Sequence, residues 1–132
     1  MANCCWIDIE CNDSEYWKRL KSRIDEHKSI KLCEDRYLFD GDLSKDYITG
    51  WVKWSISTDE IIAIIKAEKF KNFKCYYDEP GELLYGYYEF ENNILKEVSV
   101  PEEHPIWDTE YEGDDMDKIL KKQTPEILWT KE

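Results

Sequence analysis

Cys5, Ile7 and Ile9 alternate with Trp6, Asp8 and Glu10 along the opening segment, which predicts a first strand buried on one face. Asn12-Asp13-Ser14-Glu15 then supplies a helix start, with Asn12 as N-cap and Glu15 as its capping-box partner. Tyr16, Leu20, Ile24 and His27, with Trp17 beside Leu20, recur at helical spacing and predict a helix over 14–28. A second strand is expected over 30–39, ended by the turn cluster Asp40-Gly41-Asp42. A third is expected over 47–56, with Trp51 and Trp54 on opposite faces. Ser57-Thr58-Asp59-Glu60 is a second capping box, opening a helix through Ile61, Ile62, Ile64, Ile65 and Phe70. Strands over 73–77 and 83–90 flank the turn signal Asp78-Glu79-Pro80-Gly81, and a last strand over 94–100 follows Asn92-Asn93.

The order β-α-β-β-α-β-β-β, with both helices on one face of an antiparallel sheet, predicts an α+β fold of ferredoxin-like kind. Residues 1–100 form that core within a single domain. Residues 101–132 extend it as an irregular segment lying on the sheet, broken by Pro101, Pro105 and Gly113. A short helix is expected over 116–122, and Ile127, Leu128 and Trp129 supply an apolar anchor at the end of the chain.

Composition adds a sign to this outline. The 132 residues carry a net charge of −12, and residues 99–132 alone hold ten Asp and Glu against four Lys and Arg. Eight carboxylates fall between Pro101 and Lys118 with no Lys or Arg among them: Glu102, Glu103, Asp108, Glu110, Glu112, Asp114, Asp115 and Asp117. Such a surface repels nucleic acid and anionic lipid and attracts basic proteins. Aromatics make up 14% of the chain, more than a small core needs, so some rings are expected at an interface. Five cysteines, an odd number with no leader before them, read as reduced thiols in a cytoplasm. No apolar run approaches the roughly 20 residues needed to span a bilayer.

Chemistry beyond charge finds little support. His27 suits a helix C-terminus and His104 lies between Glu103 and Pro105, and neither stands in a nucleophile's motif. Cys4, Cys5 and Cys11 lack zinc-site spacing, and neighbours in a strand point to opposite faces. The run from Asp108 to Asp117 lacks the ligand alternation of a calcium loop. No catalytic residue, metal or cofactor is therefore expected. Tyr76, Tyr77, Tyr85, Tyr87 and Tyr88 suit stacking on bases, but Asp78, Glu79, Glu82 and Glu89 oppose a phosphate backbone, so direct nucleic-acid binding is not expected.

The opening Met-Ala-Asn-Cys-Cys-Trp-Ile-Asp-Ile-Glu, the Trp54-Ser55-Ile56-Ser57 before the second helix, and Phe73 to Gly81 leading to Gly86 together resemble a known family. They are similar to the YubB-type ferredoxin-like small proteins of phages and plasmids, over about residues 1–98. Cys4 stands where that family usually has Trp, and its Trp-Ser-Pro-Pro motif is absent here. The resemblance implies a ferredoxin-like fold and a mobile-element origin, and carries over no catalytic residue. Together with the charge it leads to the expectation of a non-enzymatic protein that inhibits a basic, nucleic-acid-handling host protein or nucleoprotein complex, such as a CRISPR effector, by mimicking nucleic acid. The eight carboxylates would supply the charge, with Trp107 and Tyr111 as anchors. The alternative is a protein-binding adaptor that uses an aromatic sheet face including Trp51, Tyr85 and Tyr87, its charge serving solubility.

Overall fold

The computed structural model describes residues 4–10, 14–23, 30–33, 36–43, 47–53, 55–79 and 82–132. In chain order these form β1 (Cys4–Glu10), α1 (Ser14–Arg23), β2 (Ile30–Cys33), β3 (Arg36–Leu43), β4 (Tyr47–Lys53) and α2 (Thr58–Glu68). Then come β5 (Phe73–Glu79), β6 (Leu84–Glu91), β7 (Ile94–Ser99), a 3-10 helix (Pro105–Asp108), α3 (Gly113–Lys121) and β8 (Glu126–Thr130). The strands make one sheet in the order β2-β3-β4-β1-β5-β6-β7-β8, and every described pairing is antiparallel. The α+β class expected from the pattern is therefore present, in a sheet of eight strands rather than six.

Two differences account for the extra strands. The segment expected as one strand over 30–39 is two, β2 and β3. Asp40-Gly41-Asp42 does not end a strand, because β3 continues to Leu43 and absorbs the irregular residues as a register shift between Phe39 and Asp42. At the other end the apolar anchor is itself a strand, β8, paired with β7 from Ile94↔Thr130 to Glu97↔Glu126. Likewise Asp78 and Glu79 belong to β5, opposite Tyr85 and Leu84, and not to a turn. Asn12, residues 24–28 of the first expected helix with His27, Trp54, Pro80 and Gly81 lie outside the described residues.

The first core lies between the sheet and the helices α1 and α2. Alternation sends Cys5, Ile7 and Ile9 of β1, Ile48 and Val52 of β4, and Phe73, Cys75 and Tyr77 of β5 to this face, all buried. Ile61, Ile64 and Ile65 recur at helical spacing on α2 and meet them, as Tyr16 does from α1. Tyr16 and Phe70 pack edge to face at 4.4 Å. Ser57 begins α2 as the sequence predicts: its hydroxyl accepts from the Glu60 amide at 3.2 Å, and the Glu60 carboxylate accepts from the Ser57 amide at 3.1 Å. Arg19 of α1 donates to the buried Glu68 carboxylate at 2.8 Å, joining the two helices where α2 ends. There the guanidinium offsets a negative charge that the helix dipole disfavours.

The β6–β7 hairpin turns on Asn92 and Asn93, whose φ values of 54° and 65° fit a two-residue turn that asparagine tolerates better than most residues. On β6, Gly86 lies opposite Tyr77, and a Cβ there would come within 2.3 Å of the Val98 carbonyl oxygen and 2.7 Å of the Tyr77 hydroxyl. The missing side chain lets Tyr77 pass over β6 and donate to Glu97 on β7 at 2.6 Å. We expect Gly86→Ala to lower stability by about 2–3 kcal/mol, since two of the three closest atoms, the Val98 carbonyl oxygen and Ser99 Cα, are backbone and cannot swing aside. Urea denaturation checks this; an unchanged midpoint would show that β6 and β7 yield more easily than the contact distances imply.

Candidate functional site

The second face of the sheet carries the residues that alternation turns away from the helices. Its β6–β7 half is covered by the acidic segment. Val98 and Val100 supply the floor, while Met116 and Leu120, one helical turn apart on α3, supply the lid; all four are buried. Tyr85, Tyr87, Ile106, Trp107, Tyr111 and Ile119 pack around them. The Trp107 indole N–H donates to the Pro101 carbonyl at 2.9 Å, and its ring meets Tyr111 edge to face at 5.7 Å. His104 starts the 3-10 helix by accepting from the Ile106 amide through Nδ1 at 3.1 Å.

All eight predicted carboxylates point outward: Glu102, Glu103, Asp108, Glu110, Glu112, Asp114, Asp115 and Asp117 are each exposed. Three of them also have local partners or positions that favour negative charge. Asp114 and Asp115 sit in the first turn of α3, where the helix dipole favours an anion, and the Glu112 amide donates to Asp115 at 3.1 Å. Asp117 accepts from the Tyr85 hydroxyl at 2.8 Å, tying α3 to β6. Burial, then the bond to Asp117 and its charge, raise the Tyr85 phenol well above its ordinary pKa. Trp107 and Tyr111, expected to anchor a partner, are half-buried against the second core and fasten the segment to its own sheet. The segment is also partly helical, so its carboxylates follow helical as well as extended spacing.

The five tyrosines weighed as a base-stacking platform are divided by the sheet. Tyr77 and Tyr88 lie on the helix-covered face and are buried, and burial holds both phenols above their ordinary pKa. Tyr85 and Tyr87 lie beside the acidic segment, while Tyr76 faces the open half. Cys5 and Cys75 are buried thiols, and burial raises the Cys75 pKa, so neither has the character of an activated nucleophile. Among the described residues no group of His, Cys, Asp and Glu is placed to hold a metal ion. No described helix is long and apolar enough to cross a membrane.

The open half, over β1, β4 and β5, holds a groove of about 650 Å³ that composition alone did not reveal. Register builds it. Phe39, Trp51, Trp6, Asp78 and Tyr85 are successive cross-strand partners from β3 to β6, and Thr49, Asp8, Tyr76 and Tyr87 form the next row from β4 to β6. Trp6 is 56% exposed, an unusual position for an indole. Asp8 Oδ1 is shielded from solvent and has no hydrogen-bond partner. Burial first and then the Glu10 charge raise its pKa, and burial raises that of Asp78. The alternation in the sequence already turned Trp6, Asp8 and Glu10 outward together. What it lacked was the neighbour across the strand.

The fold and these two surfaces define an α+β protein with a fixed acidic face beside an aromatic, carboxylate-lined groove. No protein-family model, curated protein or solved structure matches the chain.

Two expectations follow. Trp107→Ala removes a ring packed on the second core and its bond to the Pro101 carbonyl, and lowers stability by about 2 kcal/mol, less than for a fully buried Trp. In hydrogen exchange, amides over 101–121 then lose protection while β1 and β5 keep theirs; uniform loss would mean that the segment does not open separately. Asp8→Asn raises the thermal midpoint at pH 7. Because the folded pKa is raised, the ionised carboxylate disfavours folding above that pKa and the effect disappears below the ordinary value of 3.8, so the gain should vanish in acid. Thermal melts across that range decide it.

Proposed function

We propose that this is a non-enzymatic protein of a phage or other mobile element. On this reading it binds and inhibits a basic, nucleic-acid-handling host protein by presenting a nucleic-acid-like surface, with a CRISPR or other defence effector as the class of partner. The observation that carries the proposal is the acidic segment: eight exposed carboxylates held on a backbone that a dedicated second core fastens to the sheet. A segment meant only to keep a protein soluble has no need of Met116, Leu120, Trp107 and Tyr111 beneath it. Charges fixed in advance lose less conformational freedom on binding, and they steer a basic partner from a distance.

The central strands support the ferredoxin-like reading. β3-β4-β1-β5 are adjacent in that order, α1 lies between β1 and β3 in sequence, and α2 lies between β4 and β5. This is the split strand-helix-strand arrangement, here widened by β2 on one side and β6, β7 and β8 on the other. With the resemblance to YubB-type proteins in the first 98 residues, it favours a mobile-element origin.

The adaptor reading draws its support from the exposed Trp6 and the groove beside it, since Tyr85 and Tyr87 are engaged by the acidic segment. The two readings separate under salt. We expect the combined change Glu102→Gln, Glu103→Gln, Asp108→Asn and Glu110→Gln, which spares α3, to weaken binding to a purified basic CRISPR effector by at least about tenfold at low salt and to flatten the salt dependence. Unchanged, salt-insensitive affinity would sink the mimicry.

A further inference from the structure

We infer that the groove on the open half of the sheet is a receptor for an arginine side chain presented by a partner protein. The argument begins with register. Trp6 faces Asp78 across β1 and β5, and Asp8 faces Tyr76 two residues along. These four residues therefore occupy the corners of one square on the outer face, with the two carboxylates on one diagonal and the two rings on the other. Antiparallel geometry sets each diagonal at roughly 7–8 Å between Cα atoms.

A cation centred on that square meets an acid at two corners and a ring at the other two. Of the described residues that line the groove, none is Lys or Arg, and Glu10 and Asp117 add two further carboxylates at its margins. Asp8 lines the groove and is only partly buried, so its carboxylate forms part of the wall that a guanidinium entering the groove would meet. A planar guanidinium also stacks on an indole while its remaining N–H groups reach a second carboxylate. A compact ammonium does only part of this.

The sheet already uses the same chemistry one step along the strands. Lys74 places its ammonium 4.9 Å from the Tyr76 ring centre and 4.4 Å from that of Tyr87, with Glu89 at 3.9 Å. Rings and an acid on this face thus hold a cation from the chain itself. The neighbouring square shares the Tyr76 ring with Lys74, and beyond that shared ring the described residues lining the groove include no Lys or Arg. The groove also explains why Trp6 stays exposed next to acids whose ionisation burial disfavours: function tolerates a locally unfavourable arrangement that stability alone would remove.

This inference shares with the proposed function the basic character of the partner and the marginal Asp117; its four corner residues lie outside the acidic segment and are tested separately. Calorimetric titration of the full chain with a capped peptide of alternating glycine and arginine, at physiological ionic strength, is the experiment. We expect Trp6→Ala and Asp78→Asn each to weaken binding by roughly five- to tenfold, and the matching lysine peptide to bind more weakly than the arginine one. The acidic-segment variant with four neutralised residues should bind the peptide nearly as the parent does. Loss of binding in that variant but not in Trp6→Ala, equal affinity for the two peptides, or no measurable binding would each overturn the inference. Failure of the groove in this titration leaves the effector-binding reading of the acidic segment standing, because the salt titration reads that surface independently.

Discussion

Everything in this molecule depends on the position of β1 between β4 and β5, with antiparallel ladders on both sides. A strand in that place has no free edge, and its side chains must divide strictly between two faces. Cys5, Ile7 and Ile9 go under the helices, and Trp6, Asp8 and Glu10 go to the other side. Because β4, β5 and β6 are locked to β1 in register, the same division passes across the sheet. A slip of one residue would exchange the two sets and bury the acids. The hydrophobic requirement of the helix-covered face therefore determines the composition of the opposite face.

That opposite face is treated in two ways. Over β6 and β7 the chain covers it with its own acidic segment, where apolar contacts beneath and the α3 dipole offset the mutual repulsion of the carboxylates. Over β1, β4 and β5 no described element covers it, and Trp6 remains in contact with solvent. The segment is less of an appendage than its composition suggests. After crossing the second face it returns to pair as β8, where Trp129 stacks on Phe90 at 5.9 Å and Lys66 of α2 lies 5.6 Å from the Trp129 ring centre. It thus contributes to both cores.

Much of this was legible in the residues. Capping signals located the start of α2, Asn92-Asn93 marked its hairpin, and alternation gave the faces of β1 correctly. The misreadings came where local signals met long-range pairing. Asp40-Gly41-Asp42 has the composition of a turn, yet β4 pairs with β3 on both sides of it and a register shift takes up the difference. The anchor expected over Ile127 to Trp129 holds through Leu128 and Trp129, which pack on the first core, while Ile127 on the edge strand is 63% exposed. For the candidate sites, the acidic segment was plain from composition, whereas the groove was not. A cross-strand square such as Trp6, Asp78, Asp8 and Tyr76 joins positions about 70 residues apart, and only register brings them together.

The common face of the two surfaces also sets a length scale. From β1, where Trp6 stands, to β7, beneath the acidic segment, is three strand spacings, or roughly 14 Å. An extended peptide covers that distance in about four or five residues. One short loop of a partner would therefore be long enough to touch both proposed surfaces at once, and a second contact would form at the high local concentration created by the first. Two individually weak attachments separated by so little can act as one strong one.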